Sequence, residues 1–219
     1  WTNVSGYNID WDSGGSGSLI ELAHGNYNGT TATGGGGANI KLTGDMEFDA
    51  FTVSDGDTLD LNEQRVEFSG LLLNTTGTVD ATNSLIFLNA KSGGYSTRIF
   101  DTCTFTSTGS TVIVDHDSPL LQIQPTESFN NIMFRGTNDA IDNDITTTGN
   151  VYFTGTDFPS TNSKNWTIGG DLVVATGSEL DGQSSDFYVA RDFVASGGII
   201  GDSAFDFDGA SGYINCGSD

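Results

Sequence analysis

The sequence predicts an all-β protein built as a parallel β-helix, a solenoid whose rungs are about 20 residues long. Three observations carry that expectation. Gly makes up 30 of the 219 residues, about twice its ordinary share of ~7%. Thr, Ser, Asn and Asp number 27, 22, 17 and 23, while Pro and Lys number three each. That is a composition of short strands and tight turns, poor in straight-chain helix formers. The third observation is an internal register. Gly56-Asp-Thr-Leu59-Asp60-Leu61 is followed by Gly77-Thr-Val79-Asp80-Ala81, so Leu59 and Val79 stand 20 residues apart, as do Asp60 and Asp80.

The elements follow in chain order. Residues 1–45 are an irregular Gly-rich segment or cap, broken by Gly14-Gly15-Ser16-Gly17-Ser18 and by the run Gly34 to Gly37. Between those breaks Leu19-Ile-Glu-Leu22 reads as one strand. Residues 46–202 form the solenoid. Val66-Glu-Phe68 is answered 20 residues later by Ile86-Phe-Leu88. In Thr58-Leu59-Asp60-Leu61 alternation points the leucines inward and Thr58 and Asp60 outward. The middle is less regular: Phe129-Asn-Asn-Ile132-Met-Phe134, Ile145, Val151-Tyr-Phe153, Trp166-Thr-Ile168, Leu172-Val-Val174. The C-terminal third repeats the opening, with Gly177-Ser-Glu-Leu180-Asp181 matching the first unit and Phe187-Tyr-Val189 matching Val66-Glu-Phe68. Residues 203–219 are the last rung or the start of another module. If all residues took part there would be roughly ten rungs, a rod about 50 Å long at ~4.8 Å per rung. The alternative architecture is a two-sheet β-sandwich, which also shows short strands at about 8–12-residue spacing; the repeated Gly-x-x-Leu/Val-Asp register favours the solenoid.

The charge balance excludes whole classes of partner. Seven Lys+Arg against 29 Asp+Glu leave a net charge of −22. Such a surface does not bind nucleic acid, which needs a basic footprint, nor does it adhere to an anionic membrane through a polybasic patch. No apolar run approaches the roughly 20 residues needed to span a bilayer. Cys103 and Cys216 show neither CxxC spacing nor a His cluster, so zinc is excluded and two buried thiols are the favoured reading over a disulfide.

No catalytic residue, cofactor site or metal site is assigned, and the chain is not read as an enzyme. Asp115-His116-Asp117 resembles a base or ligand triplet, but its setting after Thr111-Val-Ile-Val114 and before Ser118-Pro119 reads as a strand end and turn. Asp139-Ala-Ile-Asp142-Asn-Asp144 offers oxygens of the kind calcium takes, without EF-hand spacing. Calcium is therefore expected at most as a general stabiliser of the acidic chain. The pairs Asp55/Asp57 and Asp206/Asp208 have the spacing of carboxylates on one strand face, which a polysaccharide depolymerase would require in a cleft. Tyr7, Trp11, Tyr27 and Trp166 are the aromatics considered for stacking on sugars, or else for core packing.

Two resemblances add to this. The stretches Phe129-Asn-Asn-Ile-Met-Phe134, Thr147-Thr-Gly-Asn-Val-Tyr-Phe153, Gly169-Gly-Asp-Leu-Val-Val174 and Gly177-Ser-Glu-Leu-Asp-Gly182 resemble the parallel β-helix repeats of adhesins, autotransporter passengers and phage tail or fibre proteins. Ala204-Phe205-Asp206-Phe207-Asp208-Gly209-Ala-Ser-Gly212-Tyr213-Ile214 is similar to the opening strand of laminin-G-like, concanavalin-type jelly rolls. Together they imply a structural or attachment protein: a rod-like segment of a larger fibre on a virion exterior, positioning a receptor-binding module. Its implied partners are copies of itself, with a trimer favoured, other structural proteins of the particle, and cell-surface glycan. The alternatives are a sugar-binding segment of a bacterial cell-surface adhesin and a polysaccharide depolymerase.

Overall fold

The computed structural model describes residues 3–5, 9–11, 19–33, 36–68, 77–89, 97–99, 103–115, 121–123, 128–135, 141, 143–155, 161–201, 203–207 and 214–215. Every regular element among them is a strand, and every strand pair is parallel. They stack as a β-solenoid of about 7 turns, about 20 residues apart. This is fewer than the roughly ten rungs expected if all residues took part.

The described strands fall on three walls. The first is a 12-stranded sheet running Asn3–Ser5, Gly25–Thr33, Met46–Thr52, Arg65–Phe68, Leu85–Leu88, Thr111–Val114, Asn131–Phe134, Val151–Phe153, Leu172–Val174, Phe193–Ala195 and Ile214–Asn215, with Ile9–Trp11 also on Gly25–Thr33. The second wall holds the two-stranded sheets Thr97–Ile99 with Leu121–Ile123 and Glu179–Asp181 with Gly198–Ile200. The third wall is two five-stranded sheets. One stacks Leu19–Leu22, Asn39–Leu42, Thr58–Asp60, Thr78–Asp80 and Thr104–Thr106; the other stacks Ser128–Phe129, Ile145–Thr147, Trp166–Ile168, Asp186–Val189 and Ala204–Phe207. Leu19–Leu22, Gly25–Thr33 and Asn39–Leu42, within the stretch expected as an irregular segment or cap, thus stand on the same ladders as the solenoid. The Phe205-Asp-Phe207 segment pairs in register with Phe187-Tyr-Val189 as a rung.

Register explains why the repeat is visible. Leu59 pairs with Val79, Asp60 with Asp80, Val66 with Ile86 and Phe68 with Leu88. A parallel ladder puts like positions on top of one another, so the inward positions form columns. Along the first wall one column reads Phe48, Phe68, Leu88, Val114, Phe134, Phe153, Val174, Ala195, all buried. The C-terminal half of the core is stacked rings: Phe134 on Phe153 at 5.1 Å, Trp166 on Phe187 at 5.7 Å, Phe187 on Phe205 at 4.9 Å. Offset ring stacking adds to the area each ring removes from water. Cys103 lies buried in this core; Cys216 lies outside the described residues.

The register has one long step. Leu88 pairs with Val114, against intervals of 19 to 21 residues elsewhere on that column. The third wall stays paired across this step, Val79 with Phe105, and one rung later it changes from one five-stranded sheet to the other. There the two are joined by Ser107 Oγ donating to the Ser128 carbonyl at 2.9 Å, and by the Phe105–Phe129 ring contact.

Corner chemistry corrects part of the repeat assignment. Asp60, Asp80 and Asp181 each accept, through Oδ1, the backbone N–H two residues on: Asn62 at 2.8 Å, Thr82 at 3.0 Å, Gln183 at 3.1 Å. That side-chain turn supports left-handed backbone at Asn62, Asn83 and Gln183 (φ 49°, 54° and 45°). In the N-terminal half this corner leads from the third wall into the first. In the C-terminal half it leads from the second wall into the third, so Phe187-Tyr-Val189 sits on the third wall and not where Val66-Glu-Phe68 sits. The Gly-x-x-Leu-Asp pattern specifies a corner conformation. It does not say which corner.

Gly56 and Gly77 open equivalent units for different reasons. Gly56 has φ +82° with nothing within 4 Å of where a β-carbon would lie. At Gly77 a β-carbon would come 2.4 Å from the Ser54 carbonyl oxygen and 2.7 Å from that of Asp57. We therefore expect Gly56→Asn to retain wild-type stability and Gly56→Val to lose about 1–2 kcal/mol. Gly77→Ala is expected to lose about 1–3 kcal/mol, and Gly77→Asn to do no better. Urea denaturation of the four variants separates the two causes.

Candidate functional site

The outward positions are where function has to lie, since the inward ones are packed. On the first wall one outward column reads Asn26, Glu47, Glu67, Phe87, Ile113, Met133, Tyr152, Val173, Val194. It is polar over its first rungs: Asn26 Nδ2 donates to Glu47 Oε2 at 2.7 Å, and Asn89 Nδ2 to Glu67 Oε1 at 3.0 Å. From Phe87 to Val194 it is apolar for six consecutive rungs. Ile113 is buried and the other five are half-buried. Arg65, paired with Glu67 at 2.8 Å, holds its guanidinium carbon 4.3 Å from the Phe87 ring centroid and closes the N-terminal end of the strip.

The strip breaks the rule followed on the third wall. There the strands alternate: Thr58-Leu59-Asp60 and Thr78-Val79-Asp80 are half-buried, buried, half-buried, while Trp166-Thr167-Ile168 is buried, exposed, buried. The first-wall strands instead read Ile86-Phe87-Leu88, Ile132-Met133-Phe134 and Leu172-Val173-Val174. Continuous apolar strands of this kind belong to sheets covered on both faces.

The third wall carries a groove of about 250 Å³, lined by Thr167, Ile168, Gly169, Tyr188, Ala190 and Asp206 among others. Its outward column is Thr146, Thr167, Tyr188, Asp206 in register. Tyr188 is 46% exposed. The hollow forms where the wall turns, because Gly169 and Ala190 put almost no side chain there. Gly169 is held small: a β-carbon on it would sit 2.8 Å from the Thr148 carbonyl oxygen. A second pocket, of about 40 Å³ at His24, Asp45, Glu47 and Arg65, holds little more than one water, whose share of the liquid is ~30 Å³.

The residues singled out from sequence fall into place as follows. Asp55 and Asp57 do not share a face. Asp55 is exposed; Asp57 is 1% exposed, and its Oδ1 accepts the N–H groups of Gly37 and Ala38, both at 2.7 Å. Trp166, considered for sugar stacking, is 0% exposed in the ring stack of the core. The alternation of Trp166-Thr-Ile168 points it inward. Asp115 forms an ion pair with Arg135 of the next rung at 2.8 Å, while His116 and Asp117 lie outside the described residues. Asp144 is exposed and its Oδ1 accepts the Asn165 N–H at 2.9 Å; Asp139 and Asp142 lie outside. Asp206 lines the groove and Asp208 lies outside. Tyr7 lies outside, as do the side chains of Trp11 and Tyr27. Among the described residues no group of three or more His, Cys, Asp or Glu is placed to hold a metal ion. No helix among them is long and apolar enough to cross a membrane.

Sequence reasoning missed Tyr188 and the strip. The signal for the strip was present in the apolar triplets; that for Tyr188 was not, since Phe-Tyr-Val reads equally well either way round. No protein-family model, curated protein or solved structure matches the chain.

The Asp55/Asp57 asymmetry has a measurable consequence. Asp57→Ala leaves two backbone N–H groups without their acceptor and should cost about 2–3 kcal/mol, whereas Asp55→Ala should stay within ~0.5 kcal/mol of wild type. Thermal and urea unfolding of the two variants give the comparison.

Proposed function

We propose that the chain is a rod-like structural and attachment segment of a larger fibre or appendage, displayed on a virion exterior, and that it works as a homo-oligomer, with a trimer favoured. The observation that carries this reading is the outward apolar strip from Phe87 to Val194. A solvated solenoid wall has no use for six aligned apolar side chains, and such a patch marks a protein contact. The strip is continuous because the ladder beneath it is continuous, so a second copy can meet it along its length, as a symmetric assembly requires. At the ends of the first-wall strands that carry the strip, charge is paired between rungs, Arg135 with Asp115 and Arg191 with Asp171. Mechanical stiffness supports the same role: successive rungs are tied by backbone bonds and by side-chain bonds. Asn131 Oδ1 accepts from Asn150 N at 2.9 Å, Asn150 Oδ1 from Asp171 N at 2.7 Å, and Asp171 Oδ1 from Asp192 N at 3.2 Å.

The adhesin alternative draws on a separate feature, the groove beside Tyr188. The depolymerase alternative would need two carboxylates facing each other across such a groove, and the described lining contains Asp206 alone.

Native mass spectrometry tests the assembly. The expected result is a symmetric oligomer of the 23.0 kDa chain, converted to monomer by Met133→Glu with Val173→Glu. Both positions face outward, so the variant should keep its β-type circular dichroism. A wild-type monomer, or an oligomer indifferent to both glutamates, would overturn the reading.

A further inference from the structure

The geometry points to the groove beside Tyr188 as a binding site for a neutral glycan built of hexopyranose units. Tyr188 stands out because a buried position was not available to it. Its strand, Asp186–Val189, alternates half-buried, buried, exposed, buried, with Phe187 and Val189 filling the core, so the ring between them lies on the surface. An exposed aromatic ring next to a hollow is an apolar platform with a polar tip. The apolar C–H face of a pyranose is the complementary shape.

The neighbours select among ligands. In register with Tyr188 are Thr167 on the preceding rung and Asp206 on the next: a hydroxyl that donates and accepts, and a carboxylate that accepts. Hydroxyl groups on the rim of a sugar can pair with both while its face lies on the ring. The lining residues include no Lys, Arg or His, and the chain carries net charge −22. Phosphorylated, sulfated and carboxylated ligands are therefore repelled. The hollow of about 250 Å³ has the scale of one or two sugar rings and not of a drug-sized ligand, whose pockets run ~300–1,000 Å³. The ladder extends it: Thr146, Thr167, Tyr188 and Asp206 are spaced by the ~4.8 Å of neighbouring strands, an advance comparable with that of one sugar along an oligosaccharide. A chain lying parallel to the rod axis would meet a new outward side chain at each unit.

The site stands apart from the proposed assembly surface. The strip lies on the first wall and the groove on the third, so glycan binding does not depend on the oligomer, and either reading can fail without the other.

A glycan array carrying neutral and anionic oligosaccharides, probed with the wild-type chain and with Tyr188→Ala, Tyr188→Phe and Asp206→Asn, is the direct test. We expect binding confined to neutral hexopyranose glycans. Tyr188→Ala should weaken it about tenfold or more, and Tyr188→Phe, which keeps the ring, should retain most of it. Asp206→Asn should weaken it less than Tyr188→Ala. Because Tyr188 is on the surface, each variant should unfold within a few degrees of wild type, which separates lost binding from lost fold. Absence of binding to any array member, binding confined to anionic glycans, or binding unchanged in Tyr188→Ala would each overturn the proposal.

Discussion

Everything in this molecule depends on parallel, in-register pairing of each rung with the next. Backbone N–H and C=O groups must find partners, and along the strands of a solenoid they find them in the rung before and the rung after. That requirement fixes the residue interval, and the interval makes side chains of one kind stack on others of the same kind. The core columns, the ring stack from Phe134 to Phe205 and the apolar strip on the outside are three results of one geometric rule. So are the polar corners. Asn131, Asn150 and Asp171 sit where a side-chain oxygen reaches the N–H of the following rung, and each can do so only because the register is kept.

The rule also explains what was legible in the sequence. The interval between Leu59 and Val79, and the inward leucines of Thr58-Leu59-Asp60-Leu61, could be read directly, because composition and period both speak to them. The wall on which a strand lies could not. The Gly and Asp of Gly56-Asp-Thr-Leu59-Asp60 and of Gly177-Ser-Glu-Leu180-Asp181 encode a left-handed corner and nothing about its position around the rung, so the second copy was assigned one wall away from where it lies. Trp166 and Tyr188 show a similar limit. Both are aromatic and both flank residues suited to either face. Only the burial of their neighbours decides that one fills the core and the other meets solvent. Asp55 and Asp57 have the spacing of a carboxylate pair, yet the turn between the strands rotates one of them into the backbone of the preceding rung.

The two proposed surfaces lie on different walls. From Phe87 to Val194 the first wall is apolar outside while the third alternates, and this difference arises from side chains that lie outside the backbone ladder. A solenoid can therefore change what it binds without changing how it folds: an outward residue is replaced and the ladder beneath it is untouched. The proposed assembly face and the proposed glycan groove are independent for this reason, although they share every rung between Ile145 and Phe207.

The change of sheet on the third wall, between Thr104–Thr106 and Ser128–Phe129 and one rung after the long step, gives the solenoid an uneven stiffness. Above and below it, pairs on the first and third walls carry load in parallel. At that level the third wall hands over between two sheets through a serine hydroxyl and a ring contact, while the first wall continues unbroken. A beam that is continuous on one side and notched on the other bends toward or away from the notch before it bends anywhere else. Lateral force on the solenoid would thus be taken up as a directed flexure at one height, leaving the rungs that carry Tyr188 and the C-terminal half of the strip to move as a single stiff piece.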